Sequence, residues 1–226
     1  MKPFLKKAKN ILDKRIAIGH IFSLLLICFC SWKLTNIIFS LNVAATEEEM
    51  LFFQKSMETD PFLLWLNLLP IFLLILFFYF LTNHTLFSIC LWGGIFYSLA
   101  FANSMKIQMR QDPVLPSDIK LIKEVIGIVR GFDATTLKDI ELKIGLFLLL
   151  LFLSLLLFQN KKMNQKVRIG GIVGVMLGGL IVNQMWYNNE RVYQQYPVLG
   201  NIYFSVNQYH SKGFVYCFFY NINTMK

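Results

Sequence analysis

The sequence predicts an all-α membrane protein. It has five transmembrane helices, the N-terminus inside and the C-terminus outside, and an interfacial amphipathic helix between spans three and four. Three observations carry this expectation. Of 226 residues, 56% are hydrophobic and 15% charged, and mean hydropathy is +0.53, more apolar surface than a soluble domain of this size can bury. The apolar residues gather into five blocks, 16–41, 62–81, 86–102, 144–158 and 169–187, suited to a hydrocarbon core of about 30 Å. No stretch alternates with period two, so the blocks read as helices rather than barrel strands.

Residues 1–15 form a basic cytoplasmic lead with Lys2, Lys6, Lys7, Lys9, Lys14 and Arg15. The block that follows is longer than a signal-peptide core of roughly 7–15 residues, so it reads as an uncleaved anchor. Lys33 lies in its outer third, either snorkelling to the headgroups or marking a site. The loop over 42–61 is acidic, with Glu47, Glu48, Glu49, Glu58 and Asp60, whereas the link between spans four and five carries Lys161, Lys162, Lys166 and Arg168. This asymmetry sets the predicted orientation. Pro61 suits the first turn of span two, and Pro70 inside it predicts a kink. Asn83 and His84 leave room only for a tight turn, so spans two and three form a hairpin. Gly93 and Gly94 allow a close helix approach. Span three is at the lower length limit and span four below it, so span four borrows residues 141–143 or 159–161 as snorkelling ends.

Residues 103–143 form the predicted outer amphipathic loop. The loop from Lys106 to Lys143 holds seven Lys and Arg and breaks the charge rule, which suggests anionic lipid at that surface. Pro113 and Pro116 force an extended turn, and Ser117 is the expected N-cap of an amphipathic helix over 118–130. Span five carries Gly170, Gly174 and Gly178, a small-residue ridge for helix packing. Trp186 and Tyr187 are expected in an interfacial aromatic belt. Residues 188–226 read as an extracellular connector, aromatic and without a single period, at headgroup level or packed on a further domain. The cysteines Cys28, Cys30, Cys90 and Cys217, with His20, His84 and His210, show no metal-ligand or disulfide spacing. Basic residues flank spans without a nucleic-acid-binding motif, so no nucleic acid is implied.

Two stretches in order resemble one family. Arg110-Gln-Asp-Pro-Val-Leu-Pro-Ser-Asp118, after a third span, is similar to the outer loop of lipoteichoic acid synthases and related phosphoglycerol transferases. Asn207-Gln-Tyr-His-Ser-Lys-Gly-Phe-Val-Tyr-Cys-Phe-Phe-Tyr-Asn-Ile222 resembles their connector into the extracellular domain. The resemblance covers essentially the whole chain. It implies the plasma membrane of a Gram-positive bacterium and a role in cell-wall biogenesis. It places the chemistry in a sulfatase-like domain, with a threonine nucleophile and manganese, expected beyond this chain or supplied in trans. It therefore assigns no catalytic residue, cofactor or metal ligand here.

The expected function is a membrane-anchoring, lipid-handling module whose ligand is membrane lipid, with phosphatidylglycerol the implied species. Arg110 is the candidate headgroup contact, with Lys106, Lys120 and Lys123 adding positive field. The competing reading pairs Arg110 with Asp112 or Asp118 to fix the turn. Asp112, Pro113, Pro116, Ser117 and Asp118 are expected to be structural. Asn207, Gly213, Phe214, Tyr216 and Asn221 are expected to dock the further domain. Other readings stay open: the membrane part of a phosphoethanolamine transferase, or a small non-enzymatic membrane protein.

Overall fold

The structure, a computed structural model, describes residues 2–42, 61–121, 146–147, 149–154, 163–196 and 205–224. Helix α1 is Lys2–Asn42, α2 is Pro61–Thr82 and α3 is Thr85–Arg110. A 3-10 turn, Pro116–Leu121, follows. Then come α4 (Gln165–Val182), prolonged by a wide π-type turn (Asn183–Tyr187), α5 (Glu190–Gln194), α6 (Ser205–Lys212) and α7 (Phe214–Thr224). No strand occurs among the described residues. Four segments there are long and apolar enough to cross a membrane: Ile18–Leu41, Pro61–Thr82, Thr85–Arg110 and Gln165–Tyr187. Of the predicted span 144–158, residues 146–147 and 149–154 are described and are helical; the rest lies outside the described residues.

Polarity is distributed as a bilayer requires. Ile18, Phe22, Leu25 and Phe29 of α1 and Met176, Leu177, Leu180 and Ile181 of α4 are exposed, while Ser23, Ser31, Thr35, Asn67, Ser88 and Asn103 are buried. Small hydroxyl residues let helices approach closely, and their own helix satisfies them. Ser31 donates to the Ile27 carbonyl at 2.7 Å and Thr35 to the Ser31 carbonyl at 2.8 Å. The chain is an all-α membrane protein. Helices α1, α2 and α3 pack on one another, and α4 packs on α2.

The α2–α3 turn is set locally. Asn83 takes a left-handed φ of 58°, and its N–H bonds the Tyr79 carbonyl at 2.8 Å, closing α2 as an asparagine can. Thr82 Oγ1 then accepts the His84 N–H at 3.2 Å. At this hairpin end, Arg168 of α4 donates from Nε to the Phe80 carbonyl at 2.8 Å and from a second nitrogen to the Leu81 carbonyl. A guanidinium there satisfies the last α2 carbonyls and faces the negative end of the helix dipole.

Three expectations change at the other end, the loop end. Span three does not stop near residue 102. It runs to Arg110, because Asn103 is buried and bonded within the fold and Gln111, at φ 51°, closes the helix with its N–H on the Ile107 carbonyl. Tyr187 faces into the bundle rather than outward: it is 3% exposed, and its hydroxyl donates to the Leu66 carbonyl at 2.5 Å. That carbonyl is the one Pro70 leaves without its helical donor, so α2 runs unbroken through Pro70. The tail packs on the chain's own bundle. Helix α7 packs mainly on α2, and also on α1, the 3-10 turn and the π-type turn.

Candidate functional site

The loop end is built around one side chain. Lys106, near the end of α3, donates to Asp118 Oδ2 at 2.7 Å and to the Pro113 carbonyl at 2.9 Å. Its ammonium also lies 2.9 Å from Asp112 Oδ2. Asn103, one turn earlier, accepts the Val114 N–H at 2.7 Å. Asp118 Oδ2 accepts the Leu115 N–H at 2.9 Å, and the Asp118 N–H bonds the Leu115 carbonyl at 3.0 Å. This is the back-reaching half of a capping box, with Leu115 as N-cap, Pro116 at N1 and Asp118 at N3. Ser117 therefore sits at N2, not at the expected cap. Pro113 is buried.

Arg110 lies one turn beyond Lys106 on the same helix face. It is exposed and makes no ion pair among the described residues. The carboxylates proposed as its partners belong to Lys106. Lys106 is thus the clamp of the loop rather than a spare positive field. Lys120 falls in the 3-10 turn, and Lys123 lies outside the described residues.

The tail closes on this loop. Ser205 donates to Asp112 Oδ1 at 3.2 Å, and Tyr209 donates to the Val114 carbonyl at 3.1 Å. Asn221 in turn donates to the Tyr209 hydroxyl at 3.0 Å. Helices α6 and α7 meet at Gly213, whose φ of +87° glycine adopts without penalty. Gly213 N–H bonds the Tyr209 carbonyl at 3.0 Å, and its carbonyl accepts from Cys217 at 3.2 Å. One residue therefore ends α6 and starts α7.

Asn67 of α2 completes the break. Its Nδ2 donates to the Lys212 carbonyl at 2.9 Å and its Oδ1 accepts the Tyr216 N–H at 3.0 Å. It satisfies one orphan carbonyl of α6 and one orphan N–H of α7 where no water reaches. A Cβ at Gly213 would strike the Asn67 amide and the Phe39 ring.

Phe214 and Tyr216 are buried. Together with Gly213 they are given to the chain's own bundle. The Asn207 carbonyl accepts from Ser211 at 2.8 Å. Lys212 is 2% exposed. Its ammonium donates to Gln208 Oε1 and sits 3.8 Å from the Tyr193 ring centroid, a cation–π distance. No carboxylate pairs with it among the described residues. Tyr193 stacks on Tyr220 with ring centroids 3.7 Å apart. Burial lowers the Lys212 pKa from its ordinary value, raises the Tyr193, Tyr209 and Tyr216 phenols and pushes the Cys217 thiol up to about 12.

The glycine ridge of α4 meets none of this. Among the described residues, a Cβ at Gly170, Gly174 or Gly178 would find nothing within 4 Å, whereas Gly171 lies against Phe80. Gly94 does serve a close approach, with the Phe147 ring over it. Among the described residues no three His, Cys, Asp or Glu side chains converge, and Asp112 and Asp118 already hold an ammonium. These residues do not fit the manganese that the resemblance places elsewhere. Sequence reasoning missed Asn67, Asn103 and Tyr187 as organising residues. The available signal was polar or proline-linked residues inside apolar blocks. No family model, curated protein or solved structure matches the chain.

Proposed function

We propose that this chain is a five-span, N-in membrane module that presents an anionic phospholipid at its outer face, as part of a phosphoglycerol-transferase-like system. The observation that carries the lipid reading is the division of labour between two cations on one helix face. Lys106 takes both loop carboxylates, which leaves Arg110 exposed and without an acidic partner among the described residues. A guanidinium at the end of a spanning helix, beside a fixed loop, can grip a phosphate with two parallel hydrogen bonds. Phosphoglycerol as the substrate class comes from the loop and connector motifs. The transfer chemistry belongs to a sulfatase-like domain, in cis or in trans.

The test is lipid retention by the purified full chain in native mass spectrometry, phosphatidylglycerol against phosphatidylcholine. The expected result is a preference for phosphatidylglycerol that falls roughly three- to tenfold in Arg110→Ala, the range for a charge-assisted contact partly screened by water. Equal retention of the two lipids, or an unchanged preference in the variant, overturns the reading. A second reading, a structural partner of another helix bundle, is favoured by the glycine ridge, which meets no side chain among the described residues. Gly174→Leu would then abolish association with that bundle and leave lipid preference intact.

A further inference from the structure

The sequence could have put a Met or Leu at position 212, filling the same space with no charge to desolvate. Instead an ammonium, 2% exposed, is held by one amide oxygen and one aromatic face. It belongs to α6, whose Tyr209 holds the Val114 carbonyl of the loop. It also adjoins Gly213, where the tail helix breaks on Asn67. The docked tail therefore carries an electrostatic cost at the point where it grips the loop. Outside the docked state, the same ammonium can regain solvation or pair with a phosphate.

We infer that the α6–α7 tail is a releasable strap on the outer loop, and that an anionic lipid surface releases it by drawing the Lys212 ammonium out from between Gln208 and Tyr193. Release separates Tyr209 from Val114 and Ser205 from Asp112, so the loop loses two of its tethers. A lipid surface shifts this equilibrium only because Lys212 meets phosphate in the released state alone. The inference takes its ligand class from the reading of Arg110 as a headgroup contact.

Cys217 reports the strap. It is 0% exposed, with its thiol donating to the Gln208 carbonyl at 3.4 Å, so a membrane-impermeant maleimide reaches it only after release. The full chain is placed in vesicles of phosphatidylcholine, with and without phosphatidylglycerol, and labelling at Cys217 is followed by peptide mass mapping. Phosphatidylglycerol is expected to raise the rate about fivefold, the effect of one lysine at an anionic surface. Lys212→Met is expected to label slowly in both vesicles, and Lys212→Arg to keep the acceleration. Gln208→Ala, which removes the amide oxygen on the ammonium, is expected to raise the rate in both. Equal rates for the native chain in the two vesicles, or an acceleration that survives Lys212→Met, overturn the strap. In Arg110→Ala, unchanged lipid preference with the Lys212 effect intact removes the headgroup reading and leaves the strap standing.

Discussion

At the scale of single residues, the fold turns on polar groups that repair each other's defects. Pro70 deprives the Leu66 carbonyl of its helical donor, and Tyr187 supplies a replacement from 121 residues away. Tyr187→Phe is expected to destabilise the chain by about 1–3 kcal/mol, the cost of a buried carbonyl left unpaired. In a Pro70→Ala background the helix regains its own donor, and the same change should cost far less. Thermal unfolding of the four proteins in detergent, treated as a double-mutant cycle, measures the coupling; additive losses would separate the two residues. Lys212 makes a pH prediction. Burial lowers its pKa, so the docked tail disfavours the protonated form. That penalty is fully present below the lowered value and disappears as pH rises toward the ordinary 10.5. The groups around it are Tyr193 of α5, Gln208 of α6 and Cys217 of α7, and Tyr193 in turn contacts Tyr216 and Tyr220 of α7. Burial raises the pKa of the phenols and the thiol, which favours their neutral forms. Hydrogen exchange of the α7 amides, corrected for intrinsic rates, should therefore slow as pH rises through the lowered pKa toward 10.5; exchange that is flat or faster over that interval would refute the assignment.

At the scale of elements, the informative unit is the broken tail helix. Gly213→Ala must adopt a left-handed φ and push a methyl group into Asn67 and Phe39, so a loss of about 1–3 kcal/mol is expected, with early exchange at Tyr216. Asn67→Leu should give the same local signature by removing both cross-helix bonds, and protection of Tyr216 in either variant would count against the account. The loop behaves as a second unit. Lys106→Met leaves two carboxylates facing each other, and Asp112, 44% exposed, is partly screened. The expected cost is roughly 1–2 kcal/mol, seen as faster exchange over 111–118 with α2 unchanged. How much of this the sequence shows depends on the range of the interactions. The α2–α3 hairpin was legible because Pro61, Asn83 and the apolar blocks act within a few residues. The Asp118 turn was legible as a turn, but its cap shifted from Ser117 to Leu115. What stabilises the α6–α7 break was not legible: α6 and α7 are short, and the group at their junction, Asn67, sits 149 residues before Tyr216. Arg110 could be singled out, but Lys106 and Arg110 are equivalent cations on paper. Only the folded loop shows which of them the carboxylates take.

At the scale of the whole molecule, the chain is an inside-out bundle, apolar outside and selectively polar within, with its two ends differently built. The hairpin end is closed by Arg168 on the last carbonyls of α2. The loop end gathers the loop, the tail and Arg110, and the proposed lipid contact is placed there. The central claim is that the Arg110 guanidinium meets a lipid phosphate. The most direct test is solid-state NMR on the full chain in phosphatidylglycerol bilayers, reading nitrogen–phosphorus dipolar dephasing at the Arg110 side chain. The account predicts a guanidinium nitrogen within about 4 Å of a lipid phosphorus, as a bidentate contact requires, and no such dephasing in phosphatidylcholine. An Arg110 that dephases in neither lipid, or equally in both, would contradict it.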